Sequence, residues 1–181
     1  MEEQLESLRY PIGRFSKPDD FDENLIASFI NIIEALPDKL VESTKGLTDE
    51  QLDTPYRPNG WTVRQLVHHI ADSHMNSYIR FKWTLTEDKP IIKAYNEKKW
   101  ADMLEARTAP IELSLNILTA VHARWVLMMN NLSKEDLKKC FVHPESGREI
   151  SLDTNIALYA WHSEHHLTHI VNLINREGWV S

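Results

Sequence analysis

The stretch Tyr159-Ala-Trp-His162-Ser-Glu-His165-His166-Leu-Thr-His169 gathers four of the chain's nine histidines into two helical turns. Residues three, four and seven apart return to one side of an α-helix, so these imidazoles form a stripe. Two histidines four apart lie one above the other on adjacent turns, a spacing at which they can share a divalent ion. The competing reading is a solvated histidine-rich face, and the flanking residues bear on the choice. Ile156, Tyr159, Leu167, Ile170 and Ile174 mark the apolar centre of this helix. With His162 at the origin, that centre lies at about +100°, His166 at about +40°, His169 at about −20° and His165 at about −60°. Periodicity chooses His162 and His166 as the pair facing a bundle interior, with His165 and His169 further toward solvent.

Outward from this helix, the spacing predicts an N-cap at Asp153 or Thr154 and an end at Gly178. Cys140-Phe-Val-His143, Pro144 to Gly147 and Arg148 to Leu152 predict a small β-hairpin just before it. A helix from about Ile111 to Leu132 buries Leu115, Leu118, Val121, Trp125 and Met128 or Met129, and Ser133 to Asp136 caps a short turn. Residues 87 to 111 are a long connection with one short helix around Asn96 to Met103, long enough to cross from one end of the domain to the other.

Trp61-Thr62-Val-Arg-Gln65 is a capping box opening a helix that runs to about Leu85 and carries His68, His69 and His74. Its apolar arc is Val63, Leu66, Val67, Ile70, Met75, Tyr78, Phe81 and Leu85, while His69, Ser73, Asn76 and Arg80 form a polar stripe. His74 falls within the apolar arc and reads as a satisfied core histidine; His122 and His143 read as isolated. Between His68 and His69 the wheel does not decide. Earlier still, Thr48-Asp-Glu-Gln51 is a second capping box ahead of a proline-rich loop. A helix from Asp20 or Asp22 carries Leu25 to Leu36, is expected to kink or break at Pro37 and to resume at Leu40. Residues 1 to 20, with Pro11, Gly13 and Pro18, read as an irregular arm. The pattern is an all-α fold in one domain spanning 1–181.

Composition narrows the function. A net charge of −7 and no long basic run argue against nucleic acid as a partner. The single Cys140 excludes an intrachain disulfide and suits a reducing compartment. The opening Met-Glu-Glu-Gln-Leu-Glu lacks the features of a signal peptide, and no apolar run approaches ~18 residues, so a cytoplasmic chain with no membrane span is expected. HExxH is absent: Ser163 follows His162, and Glu164 points about 160° away from His166. GxSxG, Walker A and GxGxxG patterns are absent too.

Trp61 to Arg80, with His68-His69-Ile-Ala-Asp72 inside it, together with Tyr159-Ala-Trp-His162-Ser-Glu-His-His166, resembles the DinB-like superfamily and, within it, the YfiT-like metal-dependent hydrolases of bacilli. Tyr10-Pro-Ile-Gly13, Leu52 to Arg57 and Phe141-Val-His-Pro144 extend the resemblance nearly end to end. It implies a four-helix bundle, a homodimer, and one divalent ion per subunit, Ni²⁺ or Zn²⁺, held by His69, His162 and His166 with water in the remaining positions. It also implies hydrolysis of a small-molecule substrate, or S-transfer from a low-molecular-weight thiol, bacillithiol. The catalytic group is then a metal-bound water or thiolate. On the His69 stripe, Asn76 and Arg80 are candidates to anchor a substrate carboxylate, and Asp72 to orient the His69 ring. A non-catalytic bundle stapled by a structural metal is the remaining alternative, although such sites usually close with four protein ligands.

Overall fold

The structure, a computed structural model, describes residues 2–179, with side chains from Leu5 onward. Met1, Val180 and Ser181, which complete the 1–181 span, lie outside the described residues. Four long helices build a bundle: α2 (Glu23–Thr44), α4 (Val63–Thr86), α7 (Ile111–Met129) and α9 (Leu152–Glu177). Short elements fill the connections: α1 (Glu2–Arg9), α3 (Asp49–Leu52), α5 (Glu97–Ala101), α6 (Leu104–Thr108), α8 (Lys134–Lys138), and the strands β1 (Cys140–Val142) and β2 (Glu149–Ser151). The helix ends follow local chemistry. Asp22 caps α2, and Thr62 with Gln65 closes a reciprocal capping box on α4. Gly178 ends α9 at φ +66°, a left-handed backbone that favours glycine.

Each long helix packs on two others: α2 against α9 and α7, and α4 against α7 and α9. Along α4 and α7 the contacts advance in step, His68 to Ser114 and His74 to His122, so these two helices run parallel. A parallel pair cannot be joined by a tight turn, which is why residues 87–110 return along the length of α4. The return is pinned at the start of α4, where Gln65 donates to the Ala101 carbonyl at 2.7 Å and Arg64 to the Ala109 carbonyl at 3.2 Å. It holds two short helices, α5 and α6, where one was expected. Before α9, β1 and β2 pair antiparallel, Phe141 opposite Ile150, and the backbone of Val142 also ties to Pro90 and Ile92.

Two further expectations are corrected. The N-terminal arm is not irregular throughout, because Glu, Gln and Leu favour the helix α1, which stops just before Tyr10-Pro11. Nor does Pro37 break α2, which continues to Thr44. Proline leaves the carbonyl four residues back without its helical donor. That carbonyl, on Ile33, instead accepts from His122 Nδ1 at 2.6 Å.

The core has two apolar clusters. One joins Leu36, Leu40, Leu66, Ile70, Leu118 and Ile170; the other joins Ile26, Ile30, Phe81, Trp125, Leu152 and Ile156. A layer of hydrogen-bonded histidines, His74, His122 and His162, joins α4, α7 and α9.

Candidate metal centre

α4 and α9 run antiparallel, with Asn155 donating to Ser77, Tyr159 to the Ser73 carbonyl, and His166 meeting His69 further along. This register puts His69 against the pair His162 and His166. Ring centroids are 5.5 Å apart for His69 and His162, 5.0 Å for His69 and His166, and 4.3 Å for His162 and His166. One nitrogen from each ring lies within 4.8 Å of the other two.

The donor set fits a divalent cation. Burial lowers His69 to about 4 and holds His162 and His166 well below the ordinary histidine value, so all three are neutral with free lone pairs at pH 7. His69 makes no hydrogen bond among the described residues, and Nδ1 of His166 is buried without a partner. A buried unpaired polar group costs about 1–3 kcal/mol. The three rings together could hold a metal ion.

The centre opens into a cavity of about 850 Å³. Arg9, Arg57, Arg80 and Lys98 bring positive charge to its wall, against Glu97 and Glu145. Among the described residues the Nε atoms of Arg57 and Arg80 are buried and unpartnered, while Arg57 Nη1 donates to the Pro58 carbonyl at 3.2 Å. Ser73 and Arg80 of the α4 polar stripe line this cavity; Asn76 does not, since its amide bonds the Asp72 carbonyl of its own helix at 2.9 Å. Burial and the neighbouring Glu105 raise Asp72 to about 6, but its carboxylate makes no hydrogen bond to His69. The ring that packs on His69 is Trp61, centroids 4.7 Å apart.

His68 is tied elsewhere, its ring nitrogens 2.7 Å from the Ser114 hydroxyl and 3.2 Å from the Ala109 carbonyl, which answers the question the wheel left open. His165 and His169 are not toward solvent: both are buried and line the cavity. The wheel assumed one buried side of α9, but the N-terminal arm and the Tyr56 loop cover the other. Tyr10 and Trp161 pack on His165, and Tyr56 on His169 at 4.2 Å. With His166 these two form a second histidine cluster. Their Nε2 atoms hydrogen-bond each other at 3.2 Å, so an ion there would have to break that bond and take His166 from the first cluster. Sequence reasoning missed Arg9, Arg57 and Tyr95 in the wall: Arg57 and Tyr95 lie in irregular segments where no periodicity points inward, and Arg9 ends the short helix α1, where an irregular arm was expected.

Comparison with known proteins places the chain in a family. Residues 32–170 match the DinB superfamily family model. Proteins of Bacillus cereus (strain 03BB102) and Bacillus thuringiensis subsp. konkukian (strain 97-27), each named "Putative metal-dependent hydrolase", are 50% identical over 175 residues, 97% of this chain and 100% of theirs. YfiT from Bacillus subtilis, described as a probable metal-dependent hydrolase with an unusual four-helix bundle topology, superposes with a TM-score of 0.94 at 44% identity, covering 96% of this chain and 99% of that one. A mycothiol-dependent maleylpyruvate isomerase shares the fold alone, at TM-score 0.64 and 12% identity, over 80% of this chain and 60% of its own. Among the described residues no helix is long and apolar enough to cross a membrane. With a family match over residues 32–170 and relatives 50% identical over 97% of its length, the chain belongs to the DinB superfamily, within the YfiT-like metal-dependent hydrolases.

Proposed function

We propose that His69, His162 and His166 hold one divalent ion, Ni²⁺ or Zn²⁺, and that the centre hydrolyses a small anionic substrate bound in the arginine-lined cavity. The observation that carries this is the convergence of three neutral imidazoles, buried or half-buried, on one cavity, two of them without a hydrogen bond among the described residues. Three protein ligands leave a divalent ion open to substrate, and such an ion supplies Lewis acidity that brings the pKa of water from 15.7 to about 7. The chain's own residues do the rest. Arg57 and Arg80 place guanidinium charge on the cavity wall, where it orients the anionic end of the substrate. His165 and His169 hydrogen-bond each other through Nε2 and line the cavity beside His166. Trp61, Tyr56 and Tyr95 give the wall apolar surface that limits the water reaching the ligands.

A second reading is S-transfer from a low-molecular-weight thiol such as bacillithiol to an electrophile. The size of the cavity favours it, since about 850 Å³ accommodates a thiol and a second reactant together. Elemental analysis of the purified protein beside His69→Ala, His162→Ala and His166→Ala tests the centre. Bound metal in the parent and loss in all three variants is expected; metal retained in the variants refutes it. Turnover of small esters and amides without thiol supports hydrolysis. Product formed only with bacillithiol replaces it by transfer.

A further inference from the structure

We propose that Pro37, Ile33, His122 and His74 form a lock that holds the His162 ring in its Nδ1–H tautomer, with the Nε2 lone pair directed at the three-histidine centre. The lock rests on the reading of His162 as a ligand, and draws one contact from each of the four long helices.

Its logic starts from an atom that can only accept. In a helix each carbonyl takes the N–H four residues on, and for Ile33 that residue is Pro37, which has none. Ile33 is fully buried, so its carbonyl needs another donor. His122 Nδ1, 2.6 Å away, must therefore carry a proton. A neutral His122 then offers a bare Nε2, and His74 Nδ1, 2.8 Å from it, must donate. His74 in turn presents a bare Nε2 to His162 Nδ1 at 3.1 Å, so His162 is protonated on Nδ1 and bare on Nε2. Every junction has one donor and one acceptor only if His122 and His74 are neutral, and His162 then donates through Nδ1. A proton added to His122 or His74 would set two N–H groups against each other.

The surroundings agree. His74 is fully buried and His122 is 2% exposed. Their walls are Trp125 and Tyr159, with no carboxylate among their contacts in the described residues. On the far side, His162 Nε2 has only a long 3.5 Å contact to the Ser73 hydroxyl, which an ion would displace. The Nδ1–H form is the less populated tautomer of a neutral histidine side chain in water, so an unrestrained His162 would more often carry its proton on the atom needed for ligation. A hydrogen bond accepted from the distal nitrogen also fixes the ring plane and raises ligand basicity. His74 and His122 are positioning residues; neither reaches the cavity.

The test begins with two-bond ¹H–¹⁵N spectra of the metal-free full-length chain at pH 7.5, assigned with single histidine variants. His122, His74 and His162 are expected in the Nδ1–H form. His162 protonated on Nε2 overturns the proposal. Zn²⁺ affinity is then measured by chelator competition. His122→Leu should weaken binding about 10–100-fold. His122→Gln, whose amide offers a donor and an acceptor at similar spacing, should stay within a few-fold of the parent. Equal affinity for His122→Leu and the parent, or equal losses for Leu and Gln, overturns it. Should His122→Leu fail to fold, the tautomers of the parent protein decide the matter. A parent that binds no Zn²⁺ or Ni²⁺ refutes the proposed function, whereas the tautomer result stands or falls independently.

Discussion

Lowering the pH from 7.5 to 5 should destabilise the metal-free protein by several kcal/mol, well before its carboxylates are neutralised. The cause is histidine burial. His69 and His122 are held at about 4, against 6.5 in an unfolded chain. Between these values the unfolded chain takes up protons that the native rings refuse. Stability is therefore full above about pH 6.5 and falls as the pH drops toward 4. At pH 5 each of these two rings contributes a loss of about 2 kcal/mol. Asp72 acts in the opposite sense, since burial raises it to about 6, and it offsets about 1 kcal/mol after allowance for its partial exposure. The net is a loss of about 3 kcal/mol from the three groups. Burial also lowers His74, His162, His165, His166 and His169, and each adds to the loss. Asp153 does not interfere: Lys138 and Ser151 outweigh its burial and hold it below the ordinary carboxylate range, so its share is lost only at lower pH. Urea unfolding followed by far-ultraviolet circular dichroism at pH 7.5 and 5 measures the difference. An unchanged free energy of unfolding would mean that the histidine layer hydrates or charges without unfolding, and the neutral-ring argument would fail.

Other outcomes follow from the same contacts. If the proposed function holds, Arg57→Ala and Arg80→Ala should raise KM for an anionic substrate with little change in kcat, because each removes a positive charge from the cavity wall, and steady-state kinetics reads this directly. Trp125→Ala should cost about 3–5 kcal/mol, since the indole is fully buried between Phe81 and Tyr159, and a lowered Tm checks it. Arg64→Ala should lower stability by about 1–3 kcal/mol in urea unfolding, because this buried guanidinium joins Asp49 and Asp53 to the Ala109 carbonyl.

Where a helix has one covered face, the sequence was legible. The capping box at Thr62, the apolar arc through Leu66, Ile70 and Phe81, the end at Gly178 and the hairpin around Phe141 all follow from spacing and local chemistry. The long connection was readable as well, because the length of 87–110 has no use between antiparallel neighbours. Burial of His165 and His169 was not legible, because the groups covering them, Tyr10 and Tyr56, come from segments without periodicity. The wheel brought His162 and His166 to one face, but the partner from α4 needed the antiparallel register that only three dimensions supply. His74 was read as a satisfied core histidine, yet its two partners are other histidines, and no spacing rule links positions 74, 122 and 162.

Pro37 is where the sequence rule and the structure part most sharply, and that parting carries its own prediction. A proline inside a helix is unfavourable by about 3 kcal/mol relative to alanine, so Pro37→Ala removes a local conflict while giving up about two buried methylenes, ~1.6 kcal/mol. A net gain of about 1 kcal/mol is expected, seen as a higher Tm. The backbone N–H that the substitution restores, however, returns to the Ile33 carbonyl and shares it with His122, weakening the first bond of the chain that orients His162. Zn²⁺ affinity should fall a few-fold in the more stable protein. A residue that lowers stability while sharpening a ligand is what functional positions in a well-packed core look like, since the local rule is broken only where a distant group uses the atom set free. A Pro37→Ala protein that melts lower and binds Zn²⁺ as tightly as the parent would show that the proline serves packing alone.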